Sequence, residues 1–271
     1  MKQLFKDIGG GLINVLKRFL LTIICTLGVV TVFGLLLEKL ETVINTNLYK
    51  SLGSGAVLFT AAIGTPLHEI AHWLVCKLFG FTIIDVELLR PVAYKTDGIL
   101  GYVSYTYDRT STWQTLGCVF SGMAPLLLGV VFIYLAVKLI RPETITEINN
   151  AVTDCNREKE KPGFITVYSA AFIGFWKGLF KKSKFGVLKG ILCLYIICSI
   201  SMHMTLSTAD IRCAIPGLKV LLGLYLIHAV ITAMIGREYV SRLAKTAAFI
   251  AAFLSIGLIA DMVMLAVSII L

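Results

Sequence analysis

Charge is scarce in this chain. Asp, Glu, Lys and Arg supply 15% of its 271 residues, against 57% hydrophobic, whereas soluble domains are about a quarter charged. That shortage excludes one large water-soluble core. Cysteine pairing signals are missing as well. The seven cysteines form no C-x-x-C pair, and Cys25, Cys76, Cys118, Cys193 and Cys198 fall in apolar segments, where cysteine acts as a small hydrophobe. Nothing in their spacing suggests a disulfide framework or a thiolate zinc site. No small-x-small cleavage site follows the first apolar run, where Glu38, Lys39 and Glu41 come instead. The N-terminus therefore reads as a retained first helix rather than a leader. Histidine is rare, with four in the chain: His68, His72, His203 and His228.

What is abundant is apolar sequence. Several runs reach or approach the roughly 20 residues that cross a bilayer. An integral, multi-pass membrane protein is expected, its spans packing through close contact and small residues. The formal charge is +9, which in a soluble protein raises nucleic acid as a partner. Here the basic residues sit beside the apolar runs: Lys2, Lys6, Lys17 and Arg18, then Lys177, Lys181, Lys182, Lys184 and Lys189, then Arg237, Arg242 and Lys245. Anionic headgroups and a positive-inside bias produce that pattern. The bilayer is the expected partner, and nucleic acid is not.

Residues 1–17 carry Leu4, Phe5, Ile8, Leu12 and Leu16 at near-helical spacing, which suits a short interfacial helix or a cytoplasmic tail. Spans are expected at about 19–37, 53–79, 116–140, 187–202, 214–235 and 246–271, with 164–180 as a possible seventh. A polar link is expected through Glu38, Glu41, Asn45 and Asn47, and a solvated loop or surface helix from Arg141 to Pro162. Pro66 predicts a kink or a fresh start in the second span, and Gly80 its end. Residues 82–107 are β-rich and partly alternating, with Asp97-Gly98 as a turn candidate. A small hairpin at the membrane face follows, because open strand edges do not survive in lipid. Such an edge can pair with an extended segment of another chain. The fold class is thus all-α and polytopic, six or seven transmembrane helices with a β-hairpin around 82–107, in one membrane-embedded domain spanning 1–271.

The chemistry gathers in the second span, where His68, Glu69 and His72 spell H-E-x-x-H. Positions i and i+4 lie one above the other on a helix, so two imidazoles can hold one metal, with Glu69 beside them as general base. Charged groups at bilayer depth cost at least about 2.5 kcal/mol each, and a zinc ion supplies the compensating reason for three polar groups in one turn. Zinc needs a third protein ligand. Asp210 and His203 are the candidates just after an apolar run, with His228 and Asp261 inside later spans. Ser207 followed by Asp210 also resembles a helix start, which makes Asp210 a capping residue on the plainer reading. Asp210 lies on the same side as the histidines only if 164–180 does not cross or is re-entrant, which leaves a basic cluster outside. Metal geometry is the stricter of the two demands.

At these residues the chain resembles the site-2-protease family of intramembrane zinc metallopeptidases, in particular a bacterial branch of zincin-like membrane proteins. Three blocks carry the likeness. They are Gly64-Thr65-Pro66-Leu67-His68-Glu69-Ile70-Ala71-His72, then Gly122-Met123-Ala124-Pro125-Leu126, then His203 through Asp210 with Ala214-Ile215-Pro216-Gly217. The chain departs from the family pattern in two places: Ile211 rather than glycine follows Asp210, and Leu126, Leu127 and Leu128 rather than an asparagine follow Pro125. The resemblance implies Asp210 as third ligand, a bacterial cytoplasmic-membrane location, and cleavage of membrane-anchored regulators or signal-peptide remnants. The expectation is a zinc metalloendopeptidase with Glu69 as catalytic base, Zn²⁺ on His68, His72 and Asp210 (or His203), and a membrane-anchored protein or peptide as substrate. The alternative is a metal-binding membrane transporter or a non-proteolytic scaffold.

Overall fold

Long stretches of Leu, Ile, Val, Phe and Ala without internal turn residues give helices, and helices dominate the computed structural model. It describes residues 2–158, 163–182, 186–235 and 239–271. Residues 159–162 of the polar segment, with Lys184 and Arg237 of the basic clusters, lie outside them. The order is α1 (Lys2–Ile23), one π-helical turn (Ile24–Gly28), α2 (Val29–Leu52), α3 (Ser54–Phe79), β1 (Thr82–Glu87), α4 (Tyr94–Asp97), β2 (Tyr102–Thr106), α5 (Thr112–Ile140), α6 (Pro142–Glu158), α7 (Phe164–Leu179), α8 (Gly186–Ser201), α9 (Thr208–Ile235) and α10 (Tyr239–Ile270). Among the described residues, four helical stretches are long and apolar enough to cross a membrane: Gly10–Leu52, Thr112–Ile140, Thr208–Ile235 and Arg242–Ile270. Helix α3 has the length, but its two histidines, glutamate and proline dilute its apolar character. Helices α7 and α8 are apolar but have 16 residues each, roughly 24 Å at 1.5 Å per residue.

Two expectations change. The polar link at Glu38 to Asn47 is helix, because no glycine or proline interrupts the chain from Leu35 to Leu52 and Leu37, Ile44 and Leu48 are buried along one face. Helix α3 does not start afresh at Pro66, which sits inside one continuous element. The ladder is opened one turn earlier instead. Ser199 Oγ accepts the Gly64 N–H (3.0 Å) and donates to the Thr60 carbonyl (2.5 Å), so a side chain of α8 occupies a rung of α3.

Gly80 ends α3 in the left-handed region (φ +74°), where a side chain is disfavoured. The chain then forms the two-stranded antiparallel sheet, Thr82 opposite Thr106 and Glu87 opposite Tyr102, with a bulge between Ile83 and Asp85. Phe81, Phe79, Cys76 and Cys118, with Ile83, Val103 and Tyr105 against them, seat this hairpin on α3 and α5.

The main core joins α2, α5, α7, α8 and α10 through Leu37, Leu126, Ile133, Phe175, Ile197 and Phe253. A non-helical segment crosses its centre. Residues 202–206, between α8 and α9, are all buried. Glycines from three helices make room for it: Gly34 of α2 faces Leu206, while Gly129 of α5 and Gly257 of α10 face Met204, and a Cβ on any of them meets a neighbour within 2.7 Å. Irregular backbone at membrane depth is tolerated where protein encloses it.

Candidate metal centre

Helix α3 places His68 and His72 on one face, as the i, i+4 spacing requires. Their Nε2 atoms lie 3.0 Å apart. Asp210 Oδ1, from the first turn of α9, lies 3.4 Å from His72 Nε2. Each of the three residues offers a ligand atom within 4.8 Å of the others. Zinc bonds of about 2.0–2.1 Å at tetrahedral angles separate ligand atoms by roughly 3.3 Å. The two short separations bracket that value and the remaining pair lies within 4.8 Å, so the three residues could hold one metal ion.

Supporting contacts aim the rings. His68 Nδ1 lies 2.5 Å from the carbonyl oxygen of His203. A carbonyl only accepts, so Nδ1 carries the proton and Nε2 keeps its lone pair for the cluster. Ser121 Oγ of α5 lies 3.5 Å from His72 Nδ1. Asp210 divides its two oxygens. Oδ2 accepts from Ser207 N (3.0 Å) and Ser207 Oγ (2.6 Å), while Ser207 Oγ accepts from Asp210 N (3.1 Å). That is the expected helix start. Oδ1 remains to face His72, so the capping contact leaves Asp210 one oxygen for the cluster.

Close approach of α9 to α5 brings Asp210 to α3. A Cβ at Gly122 falls 2.8 Å from the Asp210 carbonyl oxygen and 3.3 Å from Ala214 Cβ, and a Cβ at Gly217 runs into the Thr115 carbonyl oxygen. Glu69 is 7% exposed and borders a cavity of about 110 Å³ with Glu41, Thr65, His68, Leu100, Gly101, His203 and Thr205. Gly101, just before β2, lies against it: a Cβ there falls 3.0 Å from Glu69 Cγ.

Comparison with family models, with curated proteins and with solved structures returned no match. The chemistry of the cluster therefore stands on its own geometry.

The other sequence candidates go elsewhere. His203 is buried, but its ring turns to α2, with Nδ1 3.0 Å from Glu41 Oε1; its backbone carbonyl is what serves His68. Asp261 of α10 is fully buried and accepts from Ser201 Oγ at 2.5 Å. His228 lies in the second half of α9. None of these three joins the His68, His72 and Asp210 group. Sequence reasoning missed Glu41, which accepts from His203 Nδ1 and from Thr205 Oγ1 (3.0 Å) and so ties the buried segment to α2. An acidic residue in an amphipathic stretch gives no signal of that partnership. Ser199 and Gly101 were equally silent, because their roles depend on which neighbour arrives.

Proposed function

We propose that this chain is a membrane-embedded zinc endopeptidase acting on membrane-anchored proteins, multi-pass in a bacterial cytoplasmic membrane. The observation that carries the proposal is the close set of His68 Nε2, His72 Nε2 and Asp210 Oδ1 with Glu69 almost buried one residue from His68. A histidine pair alone occurs in structural polar networks. A histidine pair with a carboxylate close to both and an adjacent glutamate suits metal-assisted hydrolysis.

His68, His72 and Asp210 would hold the ion. The chemistry such an ion supplies is Lewis-acid catalysis, which polarises a carbonyl and lowers the pKa of water. The chain's own residues do the rest. The Glu69 carboxylate takes a proton from the attacking water as the new C–O bond forms at the scissile carbonyl carbon. It returns that proton to the amide nitrogen as the C–N bond breaks, which balances the hydrolysis. The His203 carbonyl fixes the His68 tautomer, and Ser121 steadies His72. Small-residue contacts at Gly122 and Gly217 fix Asp210 against α5. A substrate helix has to unwind first, since a hydrogen-bonded helix hides its carbonyls, and the hairpin edge at β2 offers an extended segment somewhere to pair.

Glu69→Gln tests the assignment. Reconstituted in vesicles with a single-pass peptide, E69Q should retain one zinc per chain and lose cleavage. Cleavage at the wild-type rate by E69Q removes Glu69 as the base. Zinc near zero in wild type and in H68A alike removes the metal. Metal-dependent flux without proteolysis would favour the transporter alternative.

A further inference from the structure

The basic end of the bundle carries chemistry that hydrolysis does not use. Helix α5 is long and apolar enough to cross a membrane, and it stops at Ile140. The buried Arg141 follows, and its guanidinium donates to the carbonyls of Gly178, Lys181 and Gly186. Those bonds pin the end of α5 to the end of α7 and the start of α8. An open groove runs beside this junction. Phe180, Val187 and Ile191 form much of its apolar wall, and Lys181, Lys182 and Gly190 line it as well.

The wall faces outward rather than into the core, since Phe180, Val187 and Ile191 are 72%, 80% and 61% exposed. Phe180 also stacks on Trp176, their centroids 6.0 Å apart. Aromatic and basic residues together at the end of an apolar span mark the headgroup level of a bilayer. Charge there is unbalanced. Glu147 pairs with Lys181 (2.6 Å) and Lys177 (3.2 Å), and Glu143 with Arg141 (3.1 Å). Lys182 is exposed and has no carboxylate partner among the described residues. None of the described residues lining the groove is acidic.

An inorganic anion would answer the charge and leave the apolar wall in water. A hydrocarbon chain would cover the wall and leave the charge. A molecule with an anionic head and an apolar tail answers both. We propose that this groove, between the end of α7 and the first half of α8, binds an anionic phospholipid. Its phosphate sits at Lys182 and Lys181, and an acyl chain lies along Phe180, Val187 and Ile191. Basic pockets between helices at a membrane face hold anionic headgroups in this way. The site is independent of the endopeptidase reading and requires only that α5 cross the bilayer. Gly190 keeps the groove open: a Cβ there makes ordinary contact with Arg141, at 3.6 Å, so a longer side chain occupies the groove itself.

The test uses the full chain purified in detergent, with dioleoyl phosphatidylglycerol, dioleoyl phosphatidylcholine or inorganic phosphate added, and reads bound lipid by native mass spectrometry. Phosphatidylglycerol should be retained with an affinity roughly tenfold or more above that of phosphatidylcholine, and Lys182→Gln should weaken it about fivefold, the share of one lysine beside an anionic headgroup. Lys50→Gln, at the end of α2, should leave it unchanged. Gly190→Leu should abolish retention with the charge intact. Equal retention of the two lipids overturns the proposal, as does an unchanged affinity in K182Q or an equal fall in K50Q. Release of phosphatidylglycerol by excess inorganic phosphate alone makes this an anion site and overturns the lipid. Paired chains without lipid give the groove to a second copy and also overturn it. If G190L does not fold, K182Q and K50Q decide.

Discussion

Gly122→Ala probes the proposed metal centre without touching any of its three candidate ligands. The added Cβ falls 2.8 Å from the Asp210 carbonyl oxygen and 3.3 Å from Ala214 Cβ. Ordinary contact begins near 3.4 Å, so about 0.6 Å of separation between α5 and the first turn of α9 has to open. Backbone atoms make the contact, so no flexible side chain can swing aside to absorb it. Metal–ligand bonds tolerate about ±0.2 Å. Asp210 Oδ1 is then carried away from His72 Nε2 by more than the site accepts. Displacing a ligand through its support typically weakens metal binding roughly 10–100-fold. Competition with a chromophoric zinc chelator in detergent measures this directly. Gly223→Ala, on α9, is the control, since nothing lies within 4 Å of a Cβ there. It should leave zinc affinity alone and raise stability by roughly 0.5–1 kcal/mol, as alanine does for glycine within a helix. Zinc affinity in G122A equal to that in G223A would falsify the claim that this helix contact sets the third ligand.

Three further outcomes are expected. Zinc content should drop sharply in D210A but stay near the wild-type level in H203A, because the His203 backbone carbonyl still faces His68; equal occupancy in both variants counts against Asp210. Arg141→Met removes a buried guanidinium that donates to the carbonyls of Gly178, Lys181 and Gly186. The loss of these three bonds, at roughly 1 kcal/mol each, should show as a clear loss in thermal or denaturant unfolding, and an unchanged midpoint would contradict that role. Lys181 first, then Lys177, hold the Glu147 carboxyl below the usual glutamate range. Its contribution to folding is therefore present above the unfolded value of roughly pH 4.3 and is lost as pH falls through the lower folded value. The stability gap between wild type and E147Q should be widest near neutrality and close at low pH; a gap that widens on acidification has the wrong sign.

Much of the architecture follows from local rules. Hydrogen bonds in helices and turns link residues a few positions apart, so the sequence itself carries the information. The i, i+4 histidines share a face, Gly80 closes α3, Ser207 and Asp210 open α9, and residues 82–106 pair as two strands. Local rules also misled at Glu38 to Asn47. Polarity suggested a link there, while the absence of any helix breaker and the buried stripe at Leu37, Ile44 and Leu48 make it helix.

Composition and spacing make the chain apolar and chiefly helical, with two histidines and a glutamate on one turn. Which distant group meets them is a matter of how the helices pack. Asp210, His203, His228 and Asp261 were all chemically eligible, and the choice fell to Asp210 through the approach of α9 to α5 at Gly122 and Gly217. Helix spacing of that kind is set by the summed contacts of many side chains across the bundle. No single residue announces it, whereas a helical turn is fixed by neighbours within the same few residues.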